Sequence, residues 1–440
     1  MTPGAIDRRR HLAHSPTMRN LVHAPAVFTN AHHLDVATGD WRTADLHTSE
    51  GRFSALHDSA GADAGTTRVR TGADDSTETV DLADYYVIPG LIDCHVHVYA
   101  MSANLAEVET EASSYAAMQA ARLMGDMLDR GFTTVRDTGG ADHGLARAQA
   151  EGLLRGPRLF FGGKALSQTG GHGDSRRPGQ HVAPSPSCCS GLGMVADGAD
   201  AVRQAARDQL RTGADHVKIM AGGGVASPTD RVDSIQYSIA EMRAAVEEAR
   251  DANRYVAAHA YTPGAISRAL EAGVRSIEHA NLIDRETARK IRDADAFVTM
   301  NLVTYWALKE LGAQAGLPEA SQRKVDDVLE AGENALRIAD EEDLQLCFGT
   351  DLLGSMQAHQ SKEFEIRARH QEPLAILKAA TLTAAKLLRR EGELGVIGEG
   401  AQADFVVLDR DPLQDITALS EPDPVMVVQG GRIVSRRNAN

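Results

Sequence analysis

The chain has 440 residues, of which 42% are hydrophobic and 24% are charged, and its formal net charge is −15 at pH 7. This composition is typical of a globular protein and excludes a fibrous or wholly disordered chain. The negative charge argues against nucleic acid or an anionic membrane surface as the main partner, because long-range repulsion opposes both. We therefore expect a small-molecule or dipeptide substrate, with neither a nucleic acid nor a membrane as partner.

The beginning of the chain and its cysteines bear on the compartment. Residues 1–20 contain arginines but no apolar segment behind them, and no run in the chain approaches the roughly 18 apolar residues that span a bilayer. The four cysteines show no CxxC spacing, which favours reduced thiols over a disulfide framework or a structural zinc site. These features favour a cytoplasmic protein.

The two ends of the chain predict a small β domain. Residues 1–20 are expected to form a mobile arm. The segment 21–87 contains the strand-like run VFTNAHHLDV, and the segment 393–437 contains DFVVLDR and VMVVQGGRIVS. We predict that both segments together form one small β-sandwich.

Between residues 88 and 392, short apolar runs alternate with longer segments of helical period. The candidate strands are YYVIPGLIDCHVHV, FTTVRDTG, PRLFFGGKALS, HVKIMAGG, RYVAAHAY, VRSIEHAN, AFVTMNLV and LQLCFGTD. Eight strands with helical crossovers predict an α/β fold, the closed (β/α)8 TIM barrel. A doubly wound open sheet is the alternative, but it normally shows six or fewer strands and a phosphate-binding glycine fingerprint after the first.

A long segment, GHGDSRRPGQHVAPSPSCCSGLGMVADG, follows the third predicted strand. It is too irregular for a helix or a strand and too long for an ordinary connection. Because loops at this end of a barrel carry function, we interpret it as a lid or pocket wall. A tolerated surface insertion is the alternative.

Side chains of ligand type stand at the ends of several predicted strands. His95 and His97 alternate along the first strand, so both point to one face. Later strands end with Lys218, His259, His279 and Asp351. In a (β/α)8 barrel these positions surround one mouth, where the active sites of this fold lie. The coincidence predicts a metal site rather than packing alone.

The residue types restrict the metal. Imidazole nitrogen and carboxylate oxygen suit Zn2+, Mn2+, Fe2+ or Co2+, and zinc is the default choice. Lys218 does not fit this set as an ammonium, because a metal cation would repel it. It could instead pair with Asp351.

The sequence resembles the amidohydrolase superfamily over nearly its whole length. The motifs that carry the resemblance are PGLIDCHVHV, VKIMAGG, AHAYTPGAI, SIEHAN, FGTD and GELGVIGEGAQADFVVLDRDPL. In the two-metal members of this superfamily, carbon dioxide carbamylates the lysine of the fourth strand and turns it into a bridging anion. The resemblance implies that this change occurs at Lys218.

The resemblance also implies a ligand set and a mechanism. His95, His97 and Asp351 would hold one divalent metal ion, and His259 and His279 would hold the other. The carbamate on Lys218 and a hydroxide would bridge two zinc ions. That hydroxide would attack the scissile carbonyl, and Asp351 would shuttle the proton to the leaving group.

A narrower resemblance comes from SQTGGHGD, VKIMAGGGVASPTD and IQYS. These motifs are similar to those of prolidase-like and Xaa-Arg/Lys dipeptidases, a group that includes ochratoxin-hydrolysing amidases. The resemblance implies N-acyl amino acids or dipeptides as substrates. It also implies that His172 and Tyr237 contact the scissile carbonyl or the substrate carboxylate, with a catalytic role for His172. For His172 the alternative is a loop histidine that binds a carbonyl. For Tyr237 the alternative is a half-buried phenol.

Other functions stay open at this point. The same metal centre could hydrolyse carbamates, phenylureas or thiocarbamates, and a catalytically inert scaffold is a further alternative. A homo-oligomer is expected, because lid loops of the superfamily often pack across subunits.

Overall fold

A computed structural model describes residues 26–58, 70–71, 78–181, 191–227, 229–420 and 423–437. The predicted arm, residues 1–20, lies outside the described residues. Six strands precede the predicted barrel: β1 (Ala26–Asp35), β2 (Asp40–Ser49), β3 (Arg52–Asp58), β4 (Arg70–Thr71), β5 (Glu78–Asp81) and β6 (Tyr86–Pro89). In β2 the side chains of Ala44, Leu46 and Thr48 are buried and their neighbours are partly exposed, the alternation of a strand with one covered face.

Ten parallel strands form the central part of the fold. They are β7 (Leu91–Val96), β8 (Phe132–Asp137), β9 (Arg158–Phe161), β10 (Ala165–Ser167), β11 (Gly193–Val195), β12 (Val217–Met220), β13 (Val256–Ala260), β14 (Ser276–His279), β15 (Phe297–Met300) and β16 (Gln345–Phe348). One sheet has the order β7-β8-β9, and the other has the order β11-β10-β12-β13-β14-β15-β16. The predicted α/β architecture with parallel strands is confirmed.

Backbone hydrogen bonds join the two parallel sheets at both edges. Asp351 N donates to His95 O at 2.8 Å, which ties the segment after β16 to β7. Asp215 N donates to Phe161 O at 2.8 Å, which ties the segment before β12 to β9. The carboxyl ends of all these strands therefore lie on the same side of the fold.

Glycines break two of the predicted strands. The predicted first strand is divided at Gly90 into β6 and β7, which belong to different sheets. The predicted third strand is divided into β9 and β10, because Gly163 has φ +69° and turns the chain. The segment after it is also less irregular than expected, since Gly193–Val195 pairs in parallel with β10.

Helices connect the strands on the outside. They are α1 (Leu105–Val108), α2 (Ser113–Asp129), α3 (His143–Ala150), α4 (Ala199–Arg211), α5 (Ile239–Asp251), α6 (Pro263–Ala272), α7 (Arg285–Asp293), α8 (Leu302–Leu311), α9 (Glu319–Glu341), α10 (Lys362–Arg367), α11 (Pro373–Ala379) and α12 (Leu382–Leu387). Helix α6 shows how local sequence sets the bounds. Thr262 caps its start, Pro263 is its first residue, and Gly273 ends it at φ +95°. Within the described ranges, no helix is long and apolar enough to cross a membrane.

The last strands return to the first sheet. Strands β17 (Phe405–Leu408), β18 (Met426–Gln429) and β19 (Arg432–Arg436) complete the order β19-β18-β17-β6-β1-β2-β3, with β5 beside β1 and β4 beside β5. Phe28 and Phe405 meet edge to face inside it, with ring centroids 4.8 Å apart. A β-rich domain built from both chain ends is thus confirmed, and it forms one hydrogen-bonded sheet of nine strands. The sandwich form and the boundaries at residues 21, 88, 393 and 437 stay predictions.

Candidate metal centre and catalytic cavity

The carboxyl ends of the parallel strands surround a cavity of about 410 Å³. Its wall includes every predicted metal ligand and the predicted catalytic histidine: His95, His97, His172, Lys218, His259, His279 and Asp351. These residues come from distant parts of the chain and meet because parallel strands end on one side of the fold.

His95, His97 and Asp351 form a compact group that could hold a metal ion. Their ligand atoms all lie within 4.8 Å of one another. Asp351 Oδ1 lies 3.5 Å from His95 Nε2 and 3.2 Å from His97 Nε2. Two imidazoles and a carboxylate are a suitable donor set for a divalent transition metal.

His279 and His259 continue the same row of imidazoles. The ring centroid of His279 lies 5.0 Å from that of His95, and the centroid of His259 lies 4.4 Å from that of His279. Among the described histidines, cysteines, aspartates and glutamates, no third residue joins this pair in a metal-sized group. A second ion at this pair would therefore need Lys218 as a ligand.

In each of the four imidazoles, one ring nitrogen is engaged by the protein. The contacts are His95 Nδ1 to Glu278 Oε2 at 2.8 Å, His97 Nδ1 to Gly139 O at 2.8 Å, His259 Nε2 to Gly223 O at 3.0 Å, and His279 Nδ1 to Tyr305 Oη at 3.0 Å. Such contacts fix the tautomer and leave the other nitrogen with a lone pair. The rings are therefore oriented as metal ligands.

Burial keeps most of these imidazoles in the form that binds metal. It holds the pKa of His95, His259 and His279 well below the usual range, with nearby cationic groups adding to the effect. For His97, burial alone would lower the pKa, but the Asp351 carboxylate outweighs it and the pKa is raised. Neutral imidazole is the ligand form, so the donor chemistry fits a metal centre.

The amidohydrolase family profile matches residues 86–434. The chain belongs to the amidohydrolase family. Ochratoxinase from Aspergillus niger is 31% identical over 369 residues, which cover 79% of this chain and 75% of ochratoxinase. The resemblance that the sequence motifs suggested is thereby confirmed.

Solved structures support the same grouping. A prolidase complexed with N-methylphosphonate-L-proline matches with a TM-score of 0.88 and 43% identity. The match covers 94% of this chain and 100% of that chain. A Xaa-Pro dipeptidase with bound methionine matches with a TM-score of 0.82 and 26% identity, covering 93% and 99%. This amidohydrolase is therefore a hydrolase that acts on C–N bonds, and the inert scaffold has no support.

Lys218 is the unusual member of the cavity wall in this amidohydrolase. Its side chain is buried, and burial lowers its pKa to about 8, although Glu278 and Asp351 oppose the shift. No hydrogen bond or ion pair joins Lys218 to Asp351, although the structure describes both residues. The alternative that Lys218 serves as an ion-pair partner of Asp351 is thus not seen.

Glu278 is a buried carboxylate that the sequence interpretation missed. Besides His95, it contacts Arg136 Nη2 at 2.8 Å and Ser276 Oγ at 2.6 Å. Arg136 and Glu278 are both fully buried. The available signal was a glutamate within SIEHAN, inside a predicted strand and directly before His279. Its contacts fix the orientation of the His95 ring.

The two residues predicted to contact substrate are placed differently. His172 lines the cavity, and its ring stacks on that of His259 with centroids 4.2 Å apart. Tyr237 is buried outside the cavity wall, and its hydroxyl donates to Ala196 O at 2.9 Å. The structure therefore places His172, but not Tyr237, on the cavity wall.

Three further residues of the cavity wall were not singled out from the sequence. Tyr261 and Tyr305 are buried phenols whose hydroxyl oxygens lie 3.0 Å apart. Arg177 is an exposed residue of the segment after β10. Tyr261 follows His259 by two positions, so strand alternation could have revealed it, whereas Tyr305 lies within α8 and gave no such signal.

Proposed function

We propose that this amidohydrolase binds two divalent metal ions and hydrolyses the amide bond of N-acyl amino acids or dipeptides. The observation that carries the proposal is the set of four buried imidazoles, each with one ring nitrogen held by the protein behind it, beside Lys218 and Asp351 in one cavity. The likeness to ochratoxinase and to two dipeptidases supports an amide substrate.

Each ion has its own residues in this proposal. His95, His97 and Asp351 would hold one ion, and His259 and His279 would hold the other. Lys218, converted by carbon dioxide into a carbamate, would offer an anionic oxygen to both. Zinc suits these donors, and when bound the ions lower the pKa of water and polarise the scissile carbonyl.

Asp351 is placed to move the proton. It comes directly after the β16 edge of the cavity, its side chain is 20% exposed, and it already contacts two histidines. A carboxylate at this position can accept a proton from the attacking water and pass it to the leaving nitrogen. This role requires that the Asp351 carboxylate can be reached from the cavity, and Asp351 lines it.

A chain of hydrogen bonds makes Tyr261 a donor towards the substrate. The Nδ1 of His279 donates to Tyr305 Oη, and Tyr305 donates to Tyr261 Oη. The hydroxyl hydrogen of Tyr261 is then free to point into the cavity. Because burial raises the pKa of Tyr261, that hydrogen is retained at neutral pH. Tyr261 would donate to the substrate carbonyl or carboxylate.

Arg177 favours a substrate that carries a carboxylate. Its guanidinium lines the cavity and forms no hydrogen bond or ion pair with any described residue. The neighbouring Arg176 is held by Asp174 through bonds of 2.8 and 2.6 Å. Of the two arginines, only Arg177 is thus available to bind the carboxylate of the leaving amino acid.

Replacing Arg177 tests this assignment. A charge-assisted hydrogen bond contributes about 1.5–3 kcal/mol, so Arg177→Met should raise KM for an N-acyl amino acid roughly 10–100-fold. The corresponding C-terminal amide should show no such change. Arg243→Met, on the outer helix α5, is the matched control. Equal effects of Arg177→Met on acid and amide would contradict carboxylate recognition.

A substrate panel tests the proposed function itself. Protein loaded with Zn2+ and bicarbonate should carry two metal ions per chain and hydrolyse N-acyl amino acids or dipeptides. The panel should include carbamates, thiocarbamates and phenylureas. Turnover of these compounds without turnover of amides would favour the alternative function, and one bound ion at full activity would contradict the binuclear site.

The proposal extends to the architecture. We propose that the two parallel sheets close into one (β/α)8 barrel over residues 88–392. The hydrogen bonds from Asp351 N to His95 O and from Asp215 N to Phe161 O support this closure.

A further inference from the structure

A series of buried polar groups begins at His172 on the cavity wall. His172 Nδ1 lies 2.9 Å from Ser227 Oγ, and the hydroxyl of Ser227 donates to Asp230 Oδ1. Ser227 and Asp230 are both buried, in the loop that follows β12. The proposed chemistry uses neither of them directly.

Asp230 is surrounded by hydrogen-bond donors. Besides the Ser227 hydroxyl, its carboxylate accepts from Gly224 N at 3.1 Å, Gln236 Nε2 at 2.9 Å and Lys324 Nζ at 3.5 Å. The Gly224 amide, the Gln236 side-chain amide and the Lys324 ammonium can only donate, so both oxygens of Asp230 act as acceptors. The Ser227 hydroxyl is directed to Oδ1 as a further donor.

The hydrogen bond from Ser227 to Asp230 determines which ring nitrogen of His172 carries the hydrogen. A serine has one hydroxyl hydrogen, and Ser227 gives it to Asp230. Towards His172 the Ser227 oxygen can then only accept, so Nδ1 must carry a hydrogen. Nε2 is the ring nitrogen left for a molecule in the cavity.

Packing surrounds the ring on two sides. One contact is the stack on His259, with an angle of 28° between the rings. Another is Gly224, where an added Cβ would lie 2.1 Å from Cε1 and 2.4 Å from Nδ1 of His172. The ring therefore occupies space that only a glycine at position 224 leaves open.

Three further hydrogen bonds hold the loops in register. The backbone N–H of His172 donates to Gln236 Oε1 at 2.8 Å. Lys324 of α9 donates to Ser227 O at 2.9 Å and to Gly224 O at 3.1 Å. The loop that carries His172, the loop that carries Asp230 and helix α9 are thus joined around one imidazole.

We propose that Asp230, acting through Ser227, is a positioning residue that holds His172 with Nδ1 protonated and presents Nε2 to the substrate. A carboxylate that fixes the tautomer of a histidine from behind is a recurrent device in hydrolases. The kinetic consequence rests on the proposed function, whereas the orientation of the ring does not.

Removing the Ser227 hydroxyl tests the kinetic consequence. Ser227→Ala should lower kcat for the best amide substrate by roughly 10–100-fold with little change in KM, the range seen when an orienting partner is lost. Ser234→Ala is the matched control, because Ser234 lies in the same loop and its hydroxyl contacts neither His172 nor Asp230. That hydroxyl donates to Arg231 O at 2.8 Å and accepts from Gln236 Nε2 at 3.3 Å. Metal content and Tm of both variants should match the wild type.

A double-mutant cycle separates positioning from general loop stability. In a His172→Ala background, Ser227→Ala and Asp230→Asn should cause no further loss of kcat, because the ring on which they act is absent. Losses that multiply would overturn the proposal, as would wild-type kcat in Ser227→Ala.

Crystal structures test the orientation without a substrate. In the metal-loaded wild type, His172 Nδ1 should lie within hydrogen-bond distance of Ser227 Oγ, and in Ser227→Ala the ring should turn away from this position. The same ring placement in both proteins would overturn the proposal. If the wild type hydrolyses no amide but the ring turns, the proposed function fails and the positioning stands.

Discussion

Replacing Lys218 is the sharpest test of the metal centre. Lys218→Ala should lose most hydrolytic activity, because the proposed second ion would then lack its ligand beside His259 and His279. Short-chain carboxylates such as acetate or propionate should restore part of it, since they can enter the vacated volume and offer the same anionic oxygens. Lys309→Ala, which removes an exposed lysine paired with Asp326, is the control and should behave as the wild type.

The pKa of Lys218 gives a magnitude for carbamylation. Only the neutral amine has the lone pair that adds to carbon dioxide. With a pKa of about 8, roughly one Lys218 in ten is neutral at pH 7, against about one in 3,000 for an ordinary lysine. Burial thus raises the reactive fraction by a factor of about 300.

The sign of the pH dependence follows from this value. Below about pH 8 the neutral fraction of Lys218 falls roughly tenfold for each pH unit, and above it the fraction levels off. Protein that has been freed of metal and bicarbonate should therefore regain activity more slowly as the pH is lowered. The rate to compare is the activation rate divided by the concentration of dissolved carbon dioxide.

Two measurements check this expectation. Activation after adding Zn2+ and bicarbonate can be followed by hydrolysis at pH 6, 7, 8 and 9, and 13C-labelled bicarbonate reports the carbamate by NMR. Activation that does not change between pH 6 and pH 8 would refute the reasoning. So would a Lys218→Ala variant with near wild-type activity.

Two further variants probe residues behind the cavity wall. Gly224→Ala should reduce kcat about as much as His172→Ala, because its Cβ would lie 2.1–2.5 Å from three ring atoms of His172. Gly222→Ala is its control, since the nearest atom would lie 3.4 Å away, and equal activity of both variants would contradict the packing argument. Glu278→Gln should weaken Zn2+ binding roughly 10–100-fold by releasing His95, as measured by calorimetric titration; an unchanged affinity would show that the ring is held by other contacts.

The sequence predicted the order of strands and helices because each buried strand is an apolar run bounded by polar residues. It did not predict where those runs are divided. Gly90 and Gly163 lie inside continuous apolar runs, and nothing local distinguishes a glycine that extends a strand from one that turns the chain. At Gly163 the deciding fact is the neighbour, since an added Cβ would lie 2.2 Å from Gln209 Oε1.

The residues proposed as metal ligands share one cavity wall, and the sequence could indicate them for a related reason. A charged or imidazole side chain at the end of an apolar strand is costly unless it has a function, so such positions stand out. Ser227 and Asp230 lie in an irregular loop where polar residues are ordinary. Their contact with His172 spans more than fifty positions along the chain, and only the fold reveals it.

Tyr237 shows that a motif close in sequence to functional residues need not contribute a side chain to the cavity. The motif IQYS was a reasonable pointer, since it lies near the loop after β12. The backbone of Tyr237 has φ +54°, in the left-handed region, and its hydroxyl meets Ala196 O. Nearness in sequence to functional residues therefore did not bring this side chain into the cavity. Tyr261, by contrast, directly follows strand β13 and lies two positions after His259, and it does line the cavity.

The charges around the ligands favour an anionic substrate. Arg136 and Glu278 are bonded at 2.8 Å and cancel each other, and Lys218 and Asp351 supply one charge of each sign. Two divalent ions would add roughly four positive charges, and carbamylation of Lys218 together with the bridging hydroxide would remove about three of them. The surplus faces a buried cavity, where it acts with little screening. A leaving group that carries a carboxylate gains from this surplus, while a neutral phenylurea or carbamate does not, and this difference is why we place N-acyl amino acids first.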